Sequence, residues 1–433
     1  MQQSSLWRHA DFLRFWGAAS VSLVGDAVTR LALPLIAITI LDASPLEVGI
    51  LGAAQLGPFL LIGLPAGAII DRIDRVLRLM VFADLARAVV LLSVPLAYVA
   101  GGLSLGQLYA VAFVTGVFTV FFDNASSAYL PSLVERRLLV NGNSKLEASR
   151  SGAQIAGPGL AGILIELTSA PMALVADALS FIASGALIAG IRRPARVAEA
   201  GPKGLRLGAL GREVIEGARY LFRHPYLRAI AFTTTTANFF RSALVAVLLV
   251  YLVRDAHASA GGIGLAFALG NVGFLTAVLI VPAVTRRFGV GRTMRVAVSA
   301  FGPAAVLVAA APTRWAVIAA AVMVLVDSFG IGLHGVNQVS LRQAVTPERM
   351  RGRVAATFRL GMFGMMPLGT LLGGVLGTFV GLRPSLWIAA AGMFLAAVPY
   401  ALSSTGRLLS LPDPAQIEPT PDTPDTILPA RSR

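Results

Sequence analysis

Apolar runs of twenty residues and more recur from one end of this chain to the other, and few folds can accommodate them. A run of that length crosses the hydrocarbon core of a bilayer as one helix, because the helix satisfies its backbone polar groups internally. Twelve spans are predicted, near 16–41, 46–70, 78–100, 105–129, 147–168, 171–191, 227–253, 260–284, 293–312, 314–341, 354–381 and 384–403. Composition points the same way. Of the 433 residues 56% are hydrophobic and 13% charged, against roughly 25% charged in a soluble domain. The first run follows Arg8, His9 and Arg14 and superficially resembles a signal peptide. It continues to about Leu41 without a small-residue cleavage site, well past a signal core of roughly 7 to 15 residues. It therefore reads as a span.

The net charge of +14 would suggest nucleic acid in a soluble protein, but here the basic residues lie between the apolar runs. Of 36 Lys and Arg, thirty fall in one set of alternate loops and at the two ends of the chain. The other loops hold only Arg254, Arg314 and Arg383, and Arg30, Arg87 and Arg241 lie inside spans. Basic residues collect on the cytoplasmic side, so both termini are expected there, in a multi-pass protein of a bacterial inner membrane. Cysteine is absent, which removes disulfides and thiolate metal sites. No metal, cofactor or nucleic acid is expected.

The longest internal polar segment divides the spans six and six. The expected fold is all-α: an N-terminal bundle over 1–191, a linker over 192–226 and a C-terminal bundle over 227–404. In the linker, Val214, Ile215, Ala218, Leu221 and Phe222 alternate with Arg212, Glu213, Glu216 and Arg219, the pattern of a short amphipathic helix lying on the membrane surface. Residues 405–433 are rich in Pro and poor in apolar residues, and are expected to be disordered. The halves also echo each other. YLPSLVERR (129–137) resembles SLRQAVTPERMR (340–351), and Gly157, Pro158 and Gly162 in span 5 are echoed by Pro367, Gly369 and Gly373 in span 11. Two parallel, pseudo-symmetric six-helix bundles follow.

The loop after span 2, GAIIDRIDRVLR (67–78), resembles the G-x-x-x-D-R-x-G-R signature of the major facilitator superfamily, with Asp74 and Val76 as departures. Its second copy, PAVTRRFGVGR (282–292), keeps Arg287 and Gly289. AQIAGPGLAG (153–162) is similar to the span 5 signature associated with antiporters of that superfamily. SLVGDAVTRLALPL, SSAYLPSLV, ADALSFIAS and SLRQAVTPERMRGRVAATFR extend the resemblance over residues 6–404, toward the branch holding macrolide-efflux proteins and the enterobactin exporter. One departure matters. Many drug:proton antiporters carry an Arg four residues before a Gly in span 4, where this chain has Ala112 before Gly116.

Ionisable groups within spans are costly and mark ion or substrate pathways unless paired structurally. Asp26 and Arg30 stand four apart on one face of span 1, either as a structural ion pair or with Asp26 as proton acceptor. Asp327 and His334 share a face of span 10 and are further candidates for proton coupling. Arg241 in span 7 lacks a local partner, and a pair with Asp327 is plausible. The loop resemblance implies a cytoplasmic gate of Gly67, Asp71, Arg72, Arg75, Asp84, Arg87 and Asp123. Asp177 is placed near the outer end of span 6, within reach of water. Candidates for a substrate cavity are Asn238, Arg241, Phe118, Phe122, Phe239 and Met366, although most aromatic residues of a membrane bundle only pack or face lipid.

What the resemblance implies is a monomeric secondary transporter working by alternating access. It would export small amphipathic compounds such as antibiotics, drugs or siderophore-like molecules, in exchange for protons. A proton-linked importer or a lipid exporter of the same fold is the alternative. A membrane-embedded enzyme is disfavoured, since His9, His224, His257 and His334 lie in separate segments, and no G-x-x-x-x-G-K-[ST] loop is present.

Overall fold

A computed structural model describes residues 6–70, 73, 75–192, 207–410 and 412. The N-terminal half contains α1 (Ala10–Thr39), α2 (Pro45–Ile70), α3 (Val76–Val99), α4 (Leu105–Leu133), α5 (Leu139–Leu167) and α6 (Ala170–Ala189). A linker helix, α7 (Leu207–Arg223), precedes the C-terminal half. That half contains α8 (Pro225–Arg254), α9 (Ala260–Phe288), α10 (Val290–Ser299), α11 (Phe301–Ala310), α12 (Ala316–Val345), α13 (Arg351–Phe379), α14 (Leu382–Leu395) and α15 (Val398–Leu402). Two spans are each made of two short helices. α10 and α11 meet at Ala300, just before Gly302 and Pro303, and α14 and α15 meet at Ala396–Ala397, before Pro399.

Among the described residues, eleven helices are long and apolar enough to cross a membrane. α5 supplies the twelfth crossing. Asn141, Asn143, Ser144, Lys145, Glu147 and Arg150 make its first half polar, so the sequence places its start near 147, eight residues late.

The two ends of the bundle are built differently. At the end away from the basic loops the connections are short, and a serine side chain caps the helix that follows. Ser104, Ser169 and Ser259 accept from the third backbone N–H of α4, α6 and α9. Ser44 and Glu47 satisfy each other's backbone N–H groups at the start of α2, a reciprocal capping box. At the basic end, the backbone N–H of Gly291 donates to Leu408 O at 2.8 Å, holding the last described residues against α10. Gly289, at φ +82°, allows this approach, since a Cβ there would press on the Leu409 backbone. Of the tail expected to be disordered from 405, residues 408 and 409 are thus bonded to the start of α10 through their backbone, and 413–433 lie outside the described residues.

α7, within the linker, packs on α13. Gly217 lies against the carbonyl of Arg353, Thr357 Oγ1 donates to Val214 O at 3.0 Å, and Glu216 pairs with Arg353. Tyr220 donates to Val345 O at 2.9 Å.

The halves meet along two close helix pairs. A Cβ on Gly162 of α5 would sit 2.5 Å from Ala260 O and 3.0 Å from Gly264 Cα of α9. Gly374 of α13 lies against Pro45, Leu46 and Gly49 of α2. Small residues let such backbones touch. Toward the same end, Arg254 donates to Asp42 Oδ1 at 2.6 Å and to Ala43 O at 2.9 Å. The Gly261 N–H donates to Glu166 at 2.9 Å, and the Leu46 N–H to Thr378 at 2.9 Å. The bonds between the two bundles, among the described residues, thus gather toward the end opposite the basic loops, and they reach the middle where Asn271 donates to Gln154 O and Phe59 stacks on Phe363.

Candidate functional site

A cavity of about 450 Å³ opens within the N-terminal half, walled by α1, α3, α4 and α5. Its chemistry is polar and charged, with Asp26, Arg87, Asp123, Glu147 and Arg150 all on the wall. At its base is the most buried cation of the described chain, Arg87, 1% exposed.

Arg87 is held from four sides. It donates to Asp84, one turn earlier on α3 and fully buried. Its Nη1 lies 3.9 Å from Asp26 Oδ1 on α1 and 3.4 Å from the Thr119 hydroxyl on α4. The guanidinium carbon sits 3.9 Å above the Phe181 ring of α6 and 4.8 Å from the Phe122 centroid. Stacking on aromatic faces suits a flat, weakly hydrated cation and helps it tolerate burial. The set is incompletely satisfied, however, because Asp84 Oδ2 and Arg87 Nε are buried without a hydrogen-bond partner among the described residues.

Asp26 departs from the sequence expectation. Its ion-pair partner within 4 Å is Arg87 rather than Arg30, which is exposed. Spacing of four allows a pair within one helix, but a buried guanidinium on a neighbouring helix offers a stronger, less hydrated partner.

Asp177 also departs from expectation. It is fully buried, accepts from Thr29 of α1, and accepts from Ser180 at 3.0 Å. Gly25 makes room for it, since any Cβ there would collide with the Asp177 and Ser180 side chains. A lone acid in an apolar span was the signal available, and the position assigned along the span obscured it.

The gate residues separate. Asp71 and Arg72 lie outside the described residues, as does Asp74. Arg75 is an exposed residue preceding α3, and Gly67 faces Asn124. Asp84 lies nine residues beyond Arg75, about 13 Å along the helix. Asp84 and Arg87 therefore belong to a buried cluster in the middle of α3 instead of a network at its end, and Asp123 lines the cavity beside them.

In the C-terminal half Arg241 meets Asp327 in a two-pronged ion pair, Nε to Oδ2 at 2.7 Å and Nη2 to Oδ1 at 2.9 Å. Asn238 accepts from Arg241 at 3.1 Å and donates to Met362 O at 3.3 Å, tying the pair to α13. Phe301 lies 4.8 Å from the guanidinium. His334 does not join them. It is buried, with Nε2 2.9 Å from the Tyr400 hydroxyl, so the face shared with Asp327 does not link the two chemically.

The aromatic candidates divide likewise. Phe122 lines the cavity, whereas Phe118 packs edge-on against the exposed Phe82 on the outer α3–α4 seam. Phe239 packs edge-on against Phe240, which covers Gly392 of α14. Met366 is half-buried on α13. In the span 5 motif, Gly157 packs on Ala27 of α1, while Gly162 and the Pro158 carbonyl meet Gly264 of α9. The motif thus ties α5 to its own half and to the other.

Two bundles of six crossings, joined at one end around charged interior groups, define a multi-pass membrane protein built from two like halves. The chain belongs to the Major Facilitator Superfamily, whose profile matches residues 15–365 and again 230–432. It is 28% identical over 208 residues to the uncharacterized MFS-type transporter YfiS of Bacillus subtilis (strain 168), and 25% over 181 residues to YvqJ of the same organism. These matches cover 48% and 41% of this chain, and the chain spans less than half the length of each relative, 48% and 42%. Among solved structures, the nucleoside transporter NupG superposes with a TM-score of 0.71 at 12% identity, over 90% of this chain and 98% of NupG. A bacterial homologue of the iron transporter ferroportin, in an inward-facing state, gives 0.68 at 19% identity, over 92% of this chain and 99% of that one.

Proposed function

We propose that this protein is a secondary transporter that exports small amphipathic compounds by alternating access in exchange for protons. The observation that carries the coupling is a charge imbalance. Two carboxylates, Asp26 and Asp84, share one buried guanidinium, Arg87, beside a cavity that also holds Asp123. Unpaired charge is too costly in so dry a place, so the cluster approaches neutrality by holding protons. Asp26, at the cavity wall and only 3.9 Å from Arg87, is the carboxylate best placed to exchange one as substrate enters.

With the basic loops assigned to the cytoplasm, the closed end faces outward, the cavity opens inward, and both termini lie inside a bacterial inner membrane. Export is supported by the span 5 motif, whose glycines form the contact that must part when the outer end opens. The relatives do not choose the cargo, since proteins of this fold include nucleoside and iron transporters. Phe122 beside Asp26, Asp123 and Glu147 favours a compound with both an apolar body and a polar group.

The test is transport by the purified protein in proteoliposomes carrying an imposed pH gradient. Uptake of amphipathic dyes into inside-out vesicles should collapse with the gradient. Uptake that persists after a proton ionophore is added would remove proton coupling from the proposal. Accumulation only in vesicles of the opposite orientation would reassign the protein as an importer.

A further inference from the structure

A second cavity, about 430 Å³, lies between the start of α8 and the end of the last span, away from the charged cluster. Its upper wall is polar, formed by exposed Arg228 and by Ser403 and Ser404. Its lower wall is apolar and outward-facing, with Phe232, Val398 and Leu402 exposed by 49%, 42% and 84%. The Ser403 hydroxyl is buried and has no hydrogen-bond partner among the described residues. α8 begins here with Pro225, and His224 makes no side-chain cap, so no side chain of its N-cap residue satisfies the first backbone N–H groups. Burial pushes the His224 imidazole below its ordinary pKa, leaving Arg228 as the cation of the cleft. None of the lining residues is acidic.

We infer that this cleft binds an anionic phospholipid, with the headgroup phosphate against Arg228 and the Ser403 and Ser404 hydroxyls and an acyl chain along Phe232, Val398 and Leu402. A cation without an acid beside it among the described residues selects a net negative headgroup over a zwitterionic one. A hydroxyl left unpaired inside the wall is a donor awaiting an acceptor. The exposed apolar strip below points to a lipid instead of a soluble anion, because inorganic phosphate gains nothing from Phe232 or Leu402. Basic pockets between membrane helices commonly take such headgroups.

The full-length protein in detergent supplies the test, by native mass spectrometry and thermal unfolding with added phosphatidylglycerol, phosphatidylcholine or inorganic phosphate. Phosphatidylglycerol should bind and raise the melting temperature, and phosphatidylcholine should do so much less. Arg228→Gln should weaken phosphatidylglycerol binding about fivefold, the contribution of one basic residue at an anionic membrane surface, and Arg228→Lys should retain most of it. Ser403→Leu, which fills the polar end, should weaken it without altering the charge. Equal binding of the two lipids would overturn the inference, as would unchanged binding by both Arg228→Gln and Ser403→Leu. Protection by inorganic phosphate matching that by phosphatidylglycerol would also overturn it, making the cleft a soluble-anion site.

Discussion

In the N-terminal half the charged residue at the centre of the first span is an acid, Asp26. At the same register in the C-terminal half it is a base, Arg241. Each lies 16 residues past the start of its helix, Ala10 of α1 and Pro225 of α8. The facing position on the third span differs too, a base against an aromatic ring: Arg87 is 11 residues past Val76, and Phe301 is 11 past Val290. One scaffold therefore holds two electrostatic solutions. In the C-terminal half, one guanidinium meets one carboxylate with both prongs satisfied, and the charge is closed. In the N-terminal half, one guanidinium serves two carboxylates, one of them at 3.9 Å, and the charge is left open. Under the proposed mechanism the closed site holds position and the open one changes its protonation.

The largest expected effect comes from breaking the closed pair. Arg241→Met leaves Asp327 buried without a partner, which should cost about 3–5 kcal/mol of stability, read as a lower melting temperature in detergent. Arg241→Met with Asp327→Met should recover most of that loss, since replacing both members removes the stranded charge. A single variant as stable as wild type would mean that the pair is not closed in the working protein.

Opening the comparison from the other side, Asp26→Asn should abolish proton-driven accumulation. A loss of at least about tenfold corresponds to removing one step worth roughly 1.4 kcal/mol. The melting temperature should barely move, because Arg87 keeps Asp84 and both aromatic rings. A variant that transports normally would take Asp26 out of the coupling step. A variant that fails to fold would make the open cluster structural, like its counterpart.

How much of this was legible in the sequence depends on the range of the interaction. The spans follow from apolar runs, a property of contiguous residues, and only α5 was mislocated because its first turns carry Asn, Lys, Glu and Arg. The residues of the charged clusters were visible as exceptions within those runs. Of their partnerships, the pair of Arg241 with Asp327 was legible and is present; others were not. Spacing along one helix suggested Asp26 with Arg30, and His334 beside Asp327, whereas neighbouring helices supplied Arg87 and Tyr400. Asp177 stood out by residue type, but its burial depends on Gly25 and Thr29 of another helix. The glycines of the span 5 motif announced close packing without saying that α9, in the other half, is the partner.

That contact between halves yields a sharper test. A Val at Gly162 would press on Ala260 O and Gly264 Cα, and overpacking of this kind costs about 1–3 kcal/mol. The cost falls only on the state in which this end is closed, so the population should shift toward opening there by about tenfold, at roughly 1.4 kcal/mol per decade. The chain has no cysteine, so Asp42→Cys with Arg254→Cys offers a clean crosslink across the closed end. Gly162→Val in that background should cut crosslinking in proportion. Undiminished crosslinking would show that the α5–α9 seam does not separate.

The smallest effect is expected from Arg254 itself. Its bond to Asp42 also joins the halves, but Asp42 is 95% exposed and water competes for both groups. An exposed pair contributes about 0.2–1 kcal/mol and fades as salt screens it. Arg254→Ala should therefore lower the melting temperature slightly at low salt and negligibly at high salt. Asp42→Gly should do less still, because Asp42 sits at φ +47°, where glycine relieves strain as the ion pair is lost. If Arg254→Ala instead costs as much as Arg241→Met, the Ala43 carbonyl it also binds at 2.9 Å must be part of a latch. Closure would then rest on polar contacts at the rim, and the glycine seams beneath it would merely follow.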